Sequence, residues 1–285
     1  EELTTARDRR AERRKAELAD DLASMREPAE SLVDAALELD VELAIARFAA
    51  DFEGTLPELG GNGVAIEGGR SPLLDVDFDT VEPVDYAVRG VRLLSGVNSG
   101  GKTSTLDLVA LVVTLAHMGL PVPAEHARIE QVGALHYHAK TQGTLDAGAF
   151  ESTLRDFGDL VSGASGRLVL VDELESITEP GASAKIIAGI LEALDEQGAT
   201  GVFVSHLARQ IREAAAVDVA VDGIEAVGLE DGELVVNRSP RKNHLARSTP
   251  ELIVEKLARE AGAGDSAGSG SGADPTFYEG LLEKF

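Results

Sequence analysis

The stretch VRLLSGVNSGGKT, residues 91–103, decides the fold of this chain. Its apolar start predicts a β-strand, and the glycine-rich part that follows has the G-x-x-x-x-G-K-[ST] spacing of a phosphate-binding loop. In such a loop, backbone N–H groups surround a polyphosphate, the lysine reaches the β- and γ-phosphates, and the hydroxyl residue binds Mg²⁺. The next run, TSTLDLVALVVTLAHMG, predicts a largely buried helix whose positive N-terminal end points at the anion. We therefore expect Lys102 and Thr103 to hold a nucleoside triphosphate and its metal.

The whole loop contributes to the predicted nucleotide site, because its backbone amides as well as its side chains would contact the phosphates. The nucleotide-binding residues predicted here are Gly96, Val97, Asn98, Ser99, Gly100, Gly101, Lys102, Thr103 and Ser104.

A second motif, RLVLVDELES at residues 167–176, ends in adjacent carboxylates. Its continuous apolar run is typical of a parallel strand that is buried on both faces. Asp172, at the carboxyl end of that strand, is predicted to hold Mg²⁺, as the acidic residue of the second strand does in nucleoside triphosphatases. Glu173 is placed to orient or deprotonate the attacking water. The alternative is an ordinary strand end in an acidic protein.

A third motif, GATGVFVSHLARQI, predicts another buried strand at residues 201–205 that delivers His206 to the same sheet edge. Open α/β sheets bind their ligands at the carboxyl ends of their strands. We therefore predict that His206 senses the γ-phosphate, although a histidine with a purely structural hydrogen bond is the alternative.

Together, in this order, the three motifs resemble the MutS family of DNA-repair ATPases. GVNSGGKTSTL is similar to that family's G-P-N-x-G-G-K-S/T-T, with Val97 where proline is usual. IEGGRSPLL, residues 66–74, resembles the G-R-H-P-L entry to the ATPase domain, with Ser71 in place of histidine. VDEL and VSHL match the family's metal-binding strand and histidine switch. The resemblance covers about residues 28–260 and is closest to the archaeal MutS-like (MutS2-type) branch.

This resemblance implies an α/β, P-loop (ABC-type) ATPase with a mixed, largely parallel central sheet, preceded by a helical core or lever segment. It implies ATP and Mg²⁺ as cofactors, and DNA of low sequence preference as a partner. It also implies a homodimer with composite nucleotide sites. AFESTLRDF resembles the family's S-T-F segment, so Ser152 and Thr153 would reach into the nucleotide site of the partner subunit.

Three other functions remain open at this point. One is an ABC-type DNA ATPase of the cohesion or break-repair kind, since VSGASG at 161–166 resembles the L-S-G-G-Q segment of that class. The second is a small-molecule kinase, which would need a lid and an acceptor pocket. The third is a non-hydrolysing, nucleotide-gated scaffold.

Composition bears on habitat more than on partner. The net charge is −24, with 50 acidic residues against 26 Lys and Arg, a balance that normally opposes nucleic acid binding. It resembles that of proteins from organisms with molar cytoplasmic salt, so we expect a halophile. At about 1 M salt the Debye length is about 3 Å, and the repulsion of DNA is then weak.

The chain has no cysteine, no membrane-length apolar run and no secretory signal, so we expect a cytoplasmic protein.

Four segments are predicted along the chain, which begins Glu-Glu and is expected to be a fragment of something longer. They are a helical lever or core segment at 1–58, the ATPase domain at 59–261, a Gly/Ser linker at 262–275 and a docking helix at 276–285. Within the first segment, Pro28 is expected to end a charged helix and begin a second helix that has a broad apolar stripe. Residues 75–86, DVDFDTVEPVDY, are interpreted as alternating acids on a solvent-facing strand. Asp222-Gly223 and Asp231-Gly232 are interpreted as turns.

Overall fold

The computed structural model describes residues 2–97, 100–139, 147–163, 165–174, 179–230, 233–247, 249–264 and 275–284. Two compact units divide the chain, one at residues 1–51 and the other at 52–285. The helices are α1 Glu2–Asp51, α2 Lys102–His117, α3 Ala147–Val161, α4 Pro180–Glu196, α5 Ala208–Ala214, α6 Thr249–Gly264 and α7 Pro275–Leu282. The strands are β1 Glu58–Leu59, β2 Val64–Gly69, β3 Val84–Val88, β4 Val91–Gly96, β5 His126–Ile129, β6 Ala134–His138, β7 Arg167–Asp172, β8 Thr200–Val204, β9 Ala220–Ile224, β10 Ala226–Glu230 and β11 Glu233–Val236.

The first unit consists of the single helix α1, and the expected break at Pro28 is wrong. Proline removes one helical N–H, which frees a carbonyl one turn earlier. No described residue of α1 is buried, so water can satisfy that carbonyl. The flanking Ala, Leu, Glu and Arg residues are strong helix formers and continue the helix on both sides of the proline.

The second unit is built around a five-stranded sheet with the order β6-β7-β8-β4-β9, in which every pair is parallel. This confirms the predicted α/β class with a largely parallel central sheet. The antiparallel pairs lie elsewhere, in a smaller sheet of order β1-β5-β2-β3 and in the β10-β11 hairpin. The parallel order brings the carboxyl ends of β7, β8 and β4 side by side.

Both faces of the central sheet are covered, which explains why its strands are apolar at successive positions. Leu94 faces a core that α2 shares with the smaller sheet, whereas its neighbour Leu93 faces a second core formed with α3, α4 and α5. A smaller cluster joins Val97, at the end of β4, to Ala226 and to Leu252 of α6.

Two local predictions are wrong. Part of the expected strand at 75–86 is a 3₁₀ helix, Phe78–Thr80, because the Asp77 side chain accepts a hydrogen bond from Asp79 N. Only Val84 and its successors form a strand. Asp222 and Gly223 lie inside β9 rather than in a turn, and pairing with β4 outweighs the local turn preference. The other predicted turn, at 231–232, lies outside the described residues.

The C-terminal helix α7 contacts α6 of the same chain. Phe277, one of its predicted docking residues, is 60 % exposed and stacks edge-on against Tyr278. No helix in the described ranges is both long and apolar enough to cross a membrane.

Candidate functional site

The loop between β4 and α2 has the backbone of a tight glycine turn. Gly101 has φ +92° and immediately precedes α2, a conformation that suits glycine. A Cβ on Gly96 would lie 2.7 Å from the carbonyl oxygen of Ile224 in β9, so the close pairing of β4 with β9 needs glycine there. Asn98 and Ser99 lie outside the described residues. The predicted strand and helix on either side of the loop are both present.

Lys102 lies at the start of α2 and is buried. Its Nζ donates to the carbonyl oxygens of Gly96 at 3.0 Å and of Val97 at 2.9 Å. The ammonium is therefore held against the loop itself. A lysine side chain in this position favours an anion at the loop.

Thr103 and Asp172 come from different elements and meet directly. The Thr103 hydroxyl donates to Asp172 Oδ2 at 2.9 Å. Asp172 is the last residue of β7 and is only 1 % exposed. A hydroxyl and a carboxylate are the hard oxygen donors that Mg²⁺ prefers, and Mg²⁺ commonly uses one or two carboxylates together with phosphate oxygens. In the described part of the chain, no group of three or more His, Asp or Glu side chains could hold a metal by itself.

Glu173 and His206 form the second pair. His206 Nε2 lies 2.8 Å from Glu173 Oε1, although 33 residues separate them in the chain. Glu173 has φ +48°, an uncommon value for a non-glycine residue, and its N–H donates to Val204 O at 3.1 Å. This bond to the end of β8 holds the strained residue beside the histidine. Backbone strain of this kind concentrates at functional sites.

Ser152 is placed differently from the other predicted site residues. It is exposed on α3, and within the described residues it has no hydrogen bond to Lys102, Thr103 or Asp172. Thr153 lines a cavity with His138 and Phe157, also away from the loop. Burial lowers the pKa of His138 there, while the charge of Asp156 acts in the opposite direction.

A cavity of about 350 Å³ opens beside the loop and shows a residue that sequence reasoning missed. Gly101 and Ser104 line it together with Arg238, whose Nη1 lies 3.3 Å from the point where a Cβ on Gly101 would stand. Arg238 Nε also pairs with Glu82 at 3.2 Å. No motif marks Arg238, and its only signal in the sequence is the cluster of basic residues at 238–247 in an acidic chain.

The neighbouring strand pair carries a buried ion pair that sequence reasoning also missed. Arg92 of β4 donates from Nε and Nη2 to the two carboxylate oxygens of Asp222 in β9, both at 2.7 Å. Burial, followed by the nearby Asp222 charge, raises the pKa of Tyr86, which packs in the core beside them. The hydrogen bond to Asp222 raises the pKa of Arg92. The sequence signal that could have predicted this ion pair is the single charged residue in each of the otherwise apolar strands β4 and β9.

Comparison with known proteins gives a consistent result. Residues 92–249 match the family description "MutS domain V". The DNA-binding protein MutS2 of Pyrococcus furiosus is 37 % identical over 266 residues, which cover 89 % of this chain and 44 % of that protein. The endonuclease MutS2 of Gemmatimonas aurantiaca is 30 % identical over 194 residues, covering 65 % of this chain and 24 % of the relative.

A DNA mismatch repair protein MutS, from Natronomonas pharaonis, is 28 % identical over 161 residues, covering 54 % of this chain and 19 % of that protein. The chain therefore spans less than half the length of these curated relatives. The matched range begins inside β4 and ends at the start of α6, so it contains the loop and both residue pairs.

Proposed function

This chain belongs to the MutS family, and from that premise we propose that it is a Mg²⁺-dependent ATPase that couples ATP binding and hydrolysis to the clamping of DNA in repair or recombination. One observation carries the proposal. The ends of β4, β7 and β8 bring a glycine loop with a buried lysine, a hydroxyl–carboxylate pair and a glutamate–histidine pair to one sheet edge. These are the parts that phosphoryl transfer to water needs.

Each predicted residue takes a role that its position supports. Lys102 would exchange its two carbonyl contacts for the β- and γ-phosphate oxygens, since a phosphate is the stronger acceptor for an ammonium. Thr103 and Asp172 would hold Mg²⁺. When bound, this ion would neutralise the charge that develops on the phosphate oxygens. The cavity beside Gly101 and Ser104 leaves room for the nucleoside, with Arg238 at its wall.

Glu173 would act as the general base. The water oxygen adds to the γ-phosphorus, the bond from that phosphorus to the β–γ bridging oxygen breaks, and the water proton passes to the Glu173 carboxylate. With its proton on Nε2, His206 donates to Glu173 Oε1 and fixes the carboxylate's orientation. Ser152, exposed on α3, would complete the nucleotide site of a partner subunit in a homodimer.

DNA binding rests on the family and on its relatives, among which the MutS2 of Pyrococcus furiosus is called a DNA-binding protein. The net charge of −24 opposes this in dilute buffer. We therefore place the working condition at high salt, where screening makes the chain's own acidity a small obstacle. ATP would close the dimer through contacts to the γ-phosphate that the ADP state lacks.

The sharpest test is Glu173→Gln, with ATP binding and phosphate release measured in molar salt. We expect Mg–ATP binding to persist while turnover falls about 10²- to 10⁴-fold, because glutamine cannot accept the water proton. Glu213→Gln, on the exposed face of α5, is the matched control and keeps turnover. Unaltered turnover in Glu173→Gln would remove the assigned role.

The same assay separates the proposed function from the alternatives. Turnover that responds to duplex DNA supports the coupling, and turnover indifferent to DNA contradicts it. Transfer of phosphate to a metabolite would indicate a kinase. Binding of ATP without turnover by the wild-type chain would indicate a scaffold.

A further inference from the structure

A cavity of about 480 Å³ lies beside His206 and is distinct from the cavity beside Ser104. Its walls come from the ends of β4 and β8, from α5, from the first turn of α6 and from the residue Lys284 just beyond α7. Gly96 and His206 both line it. Gly96 O accepts from the Lys102 ammonium, and His206 contacts Glu173, so the cavity borders both halves of the candidate site.

The charges at this cavity are unusual for such an acidic chain. Arg209 and Lys284 both line it, and neither has a carboxylate partner within the described residues. Acidic residues outnumber basic ones by 50 to 26 in the whole chain, whereas among the described residues that line this cavity Lys and Arg outnumber the carboxylates. Among the described lining residues, Glu251 is the single carboxylate. This local excess of positive charge indicates that the cavity can accept an anion.

Hydrogen-bond donors add to these charges. Ser205 is 1 % exposed and lines the cavity. Its Oγ accepts from Leu207 N at 2.9 Å, and no acceptor for its own proton is found in the described part of the chain. The guanidinium of Arg209 offers several N–H donors in a fixed plane, and the ammonium of Lys284 offers three. Together these groups match the oxygens of a tetrahedral dianion.

We propose that this cavity binds the inorganic phosphate that ATP hydrolysis leaves behind, with Arg209 and Lys284 as its ligands. The proposal rests on the ATPase function proposed above. Phosphate formed at the sheet edge would pass the His206–Glu173 pair to reach the cavity, and ADP would remain on the loop. The His206 contact thus lies between the site of bond cleavage and the phosphate site. Lys284 lies just beyond α7, so the segment that follows the C-terminal helix supplies part of the wall of the proposed phosphate site.

The test is calorimetric titration of inorganic phosphate into the whole chain, both nucleotide-free and saturated with Mg–ADP. Arg209→Gln and Lys284→Gln are compared with Arg212→Gln. Arg212 lies on the same helix as Arg209, is exposed, and faces Asp218 at 3.6 Å instead of the cavity. We expect phosphate to bind in the presence of ADP. Each cavity variant should weaken that binding about tenfold, as loss of one charge-assisted contact predicts, while Arg212→Gln leaves it unchanged.

The outcomes separate this proposal from the ATPase proposal. Equal phosphate affinity in the wild type and all three variants would overturn the phosphate site. Binding that disappears when ADP is present would also overturn it, because the phosphate would then occupy the loop. ATP turnover of the wild type is measured on the same sample. Turnover without a variant effect rejects the cavity alone, whereas absence of turnover rejects the ATPase and with it the origin of the phosphate.

Discussion

Asp172 and Asp222 are both buried in the same parallel sheet, yet their surroundings differ. Asp222 lies inside β9 and is 0 % exposed. Its carboxylate accepts hydrogen bonds from Nε and Nη2 of Arg92 and from the backbone N–H of Asn243, the last at 3.0 Å. Asp172 ends β7, and its hydrogen bond from Thr103 comes from a neutral hydroxyl. Asp222 is thus paired with an arginine inside the sheet. Asp172 lies at the sheet edge, beside a loop suited to phosphate.

The difference shows how position along a strand changes the use of a buried carboxylate. A charge inside the sheet must be paired with another protein charge, because desolvation is otherwise too costly. A charge at the carboxyl edge can share a metal with a substrate, since ligands of open α/β sheets bind there. Removing Asp222 should therefore cost mainly stability, and removing Asp172 mainly activity.

Among the changes that test this comparison, Asp172→Asn is expected to have the largest effect. Asparagine keeps the size of the side chain and can still accept from Thr103, but it is a poor Mg²⁺ ligand. We expect turnover to fall about a thousandfold, since a lost metal contribution amounts to several kcal/mol. The free energy of unfolding should change by less than about 1 kcal/mol. Phosphate release and urea unfolding measure the two quantities, and turnover within tenfold of wild type would break the comparison.

The next effect is expected for Asp222→Asn. This change leaves the Arg92 guanidinium, 15 % exposed, without its counter-charge. The free energy of unfolding should fall by about 3 kcal/mol, as for other buried pairs that lose one partner. Asp218→Asn is the matched control, because that carboxylate is 93 % exposed and its pair with Arg212 contributes little.

Denaturant unfolding of Asp222→Asn and Asp218→Asn measures the two losses in the free energy of unfolding. A double variant, Arg92→Met with Asp222→Leu, should recover most of the loss, because it leaves no unpaired charge. A loss as small in Asp222→Asn as in Asp218→Asn would show that the ion pair does not stabilise the sheet.

The smallest effect is expected for a change at Glu225, the residue that follows β9. This carboxylate pairs with Arg241, and its replacement tests whether a partly exposed ion pair stabilises the fold as the buried Asp222–Arg92 pair does. Burial alone would raise the pKa of Glu225, but the hydrogen bond from Arg241, with the charges of His244, Arg241 and Arg247, lowers it below its ordinary 4.5. A lowered pKa means that the charged form stabilises the fold. This contribution is present above pH 4.5 and is lost as the pH falls through the folded pKa.

Glu225→Gln should therefore lower the free energy of unfolding by less than about 1 kcal/mol at pH 7, because Arg241 is 59 % exposed. The difference from wild type should shrink as the pH falls below 4.5. Urea midpoints at pH 7, 5 and 3.5 measure it. A difference that grows towards acid pH would contradict the assigned sign.

Much of the second unit could be predicted from local patterns. The strand ending at Gly96, the helix from Lys102 and the strand ending at Asp172 follow from apolar runs next to glycine or acidic signals. The interior position of Asp222 could not be predicted, because Asp-Gly is a strong turn signal when read locally. Only its pairing with β4 and the charge of Arg92, 130 residues away, outweigh that preference.

The site divides in the same way. The types and spacing of Lys102, Thr103, Asp172, Glu173 and His206 pointed to a nucleotide site before any contact was known. The roles of Arg238, Arg209 and Lys284 had no motif to mark them. These side chains come from a loop, a short helix and the C-terminal end. Only the cavities that they line indicate a role for them.

The sequence alone determined the family, the α/β class and the chemical groups of the candidate site, because hydrophobic runs and glycine spacing act over a few neighbouring residues. The tertiary structure decided which charges meet: Thr103 with Asp172, Glu173 with His206, and Arg92 with Asp222. It also decided which cations remain without a carboxylate beside a cavity. Charge pairing depends on distance in space, and strands far apart in the chain become neighbours only when the sheet forms.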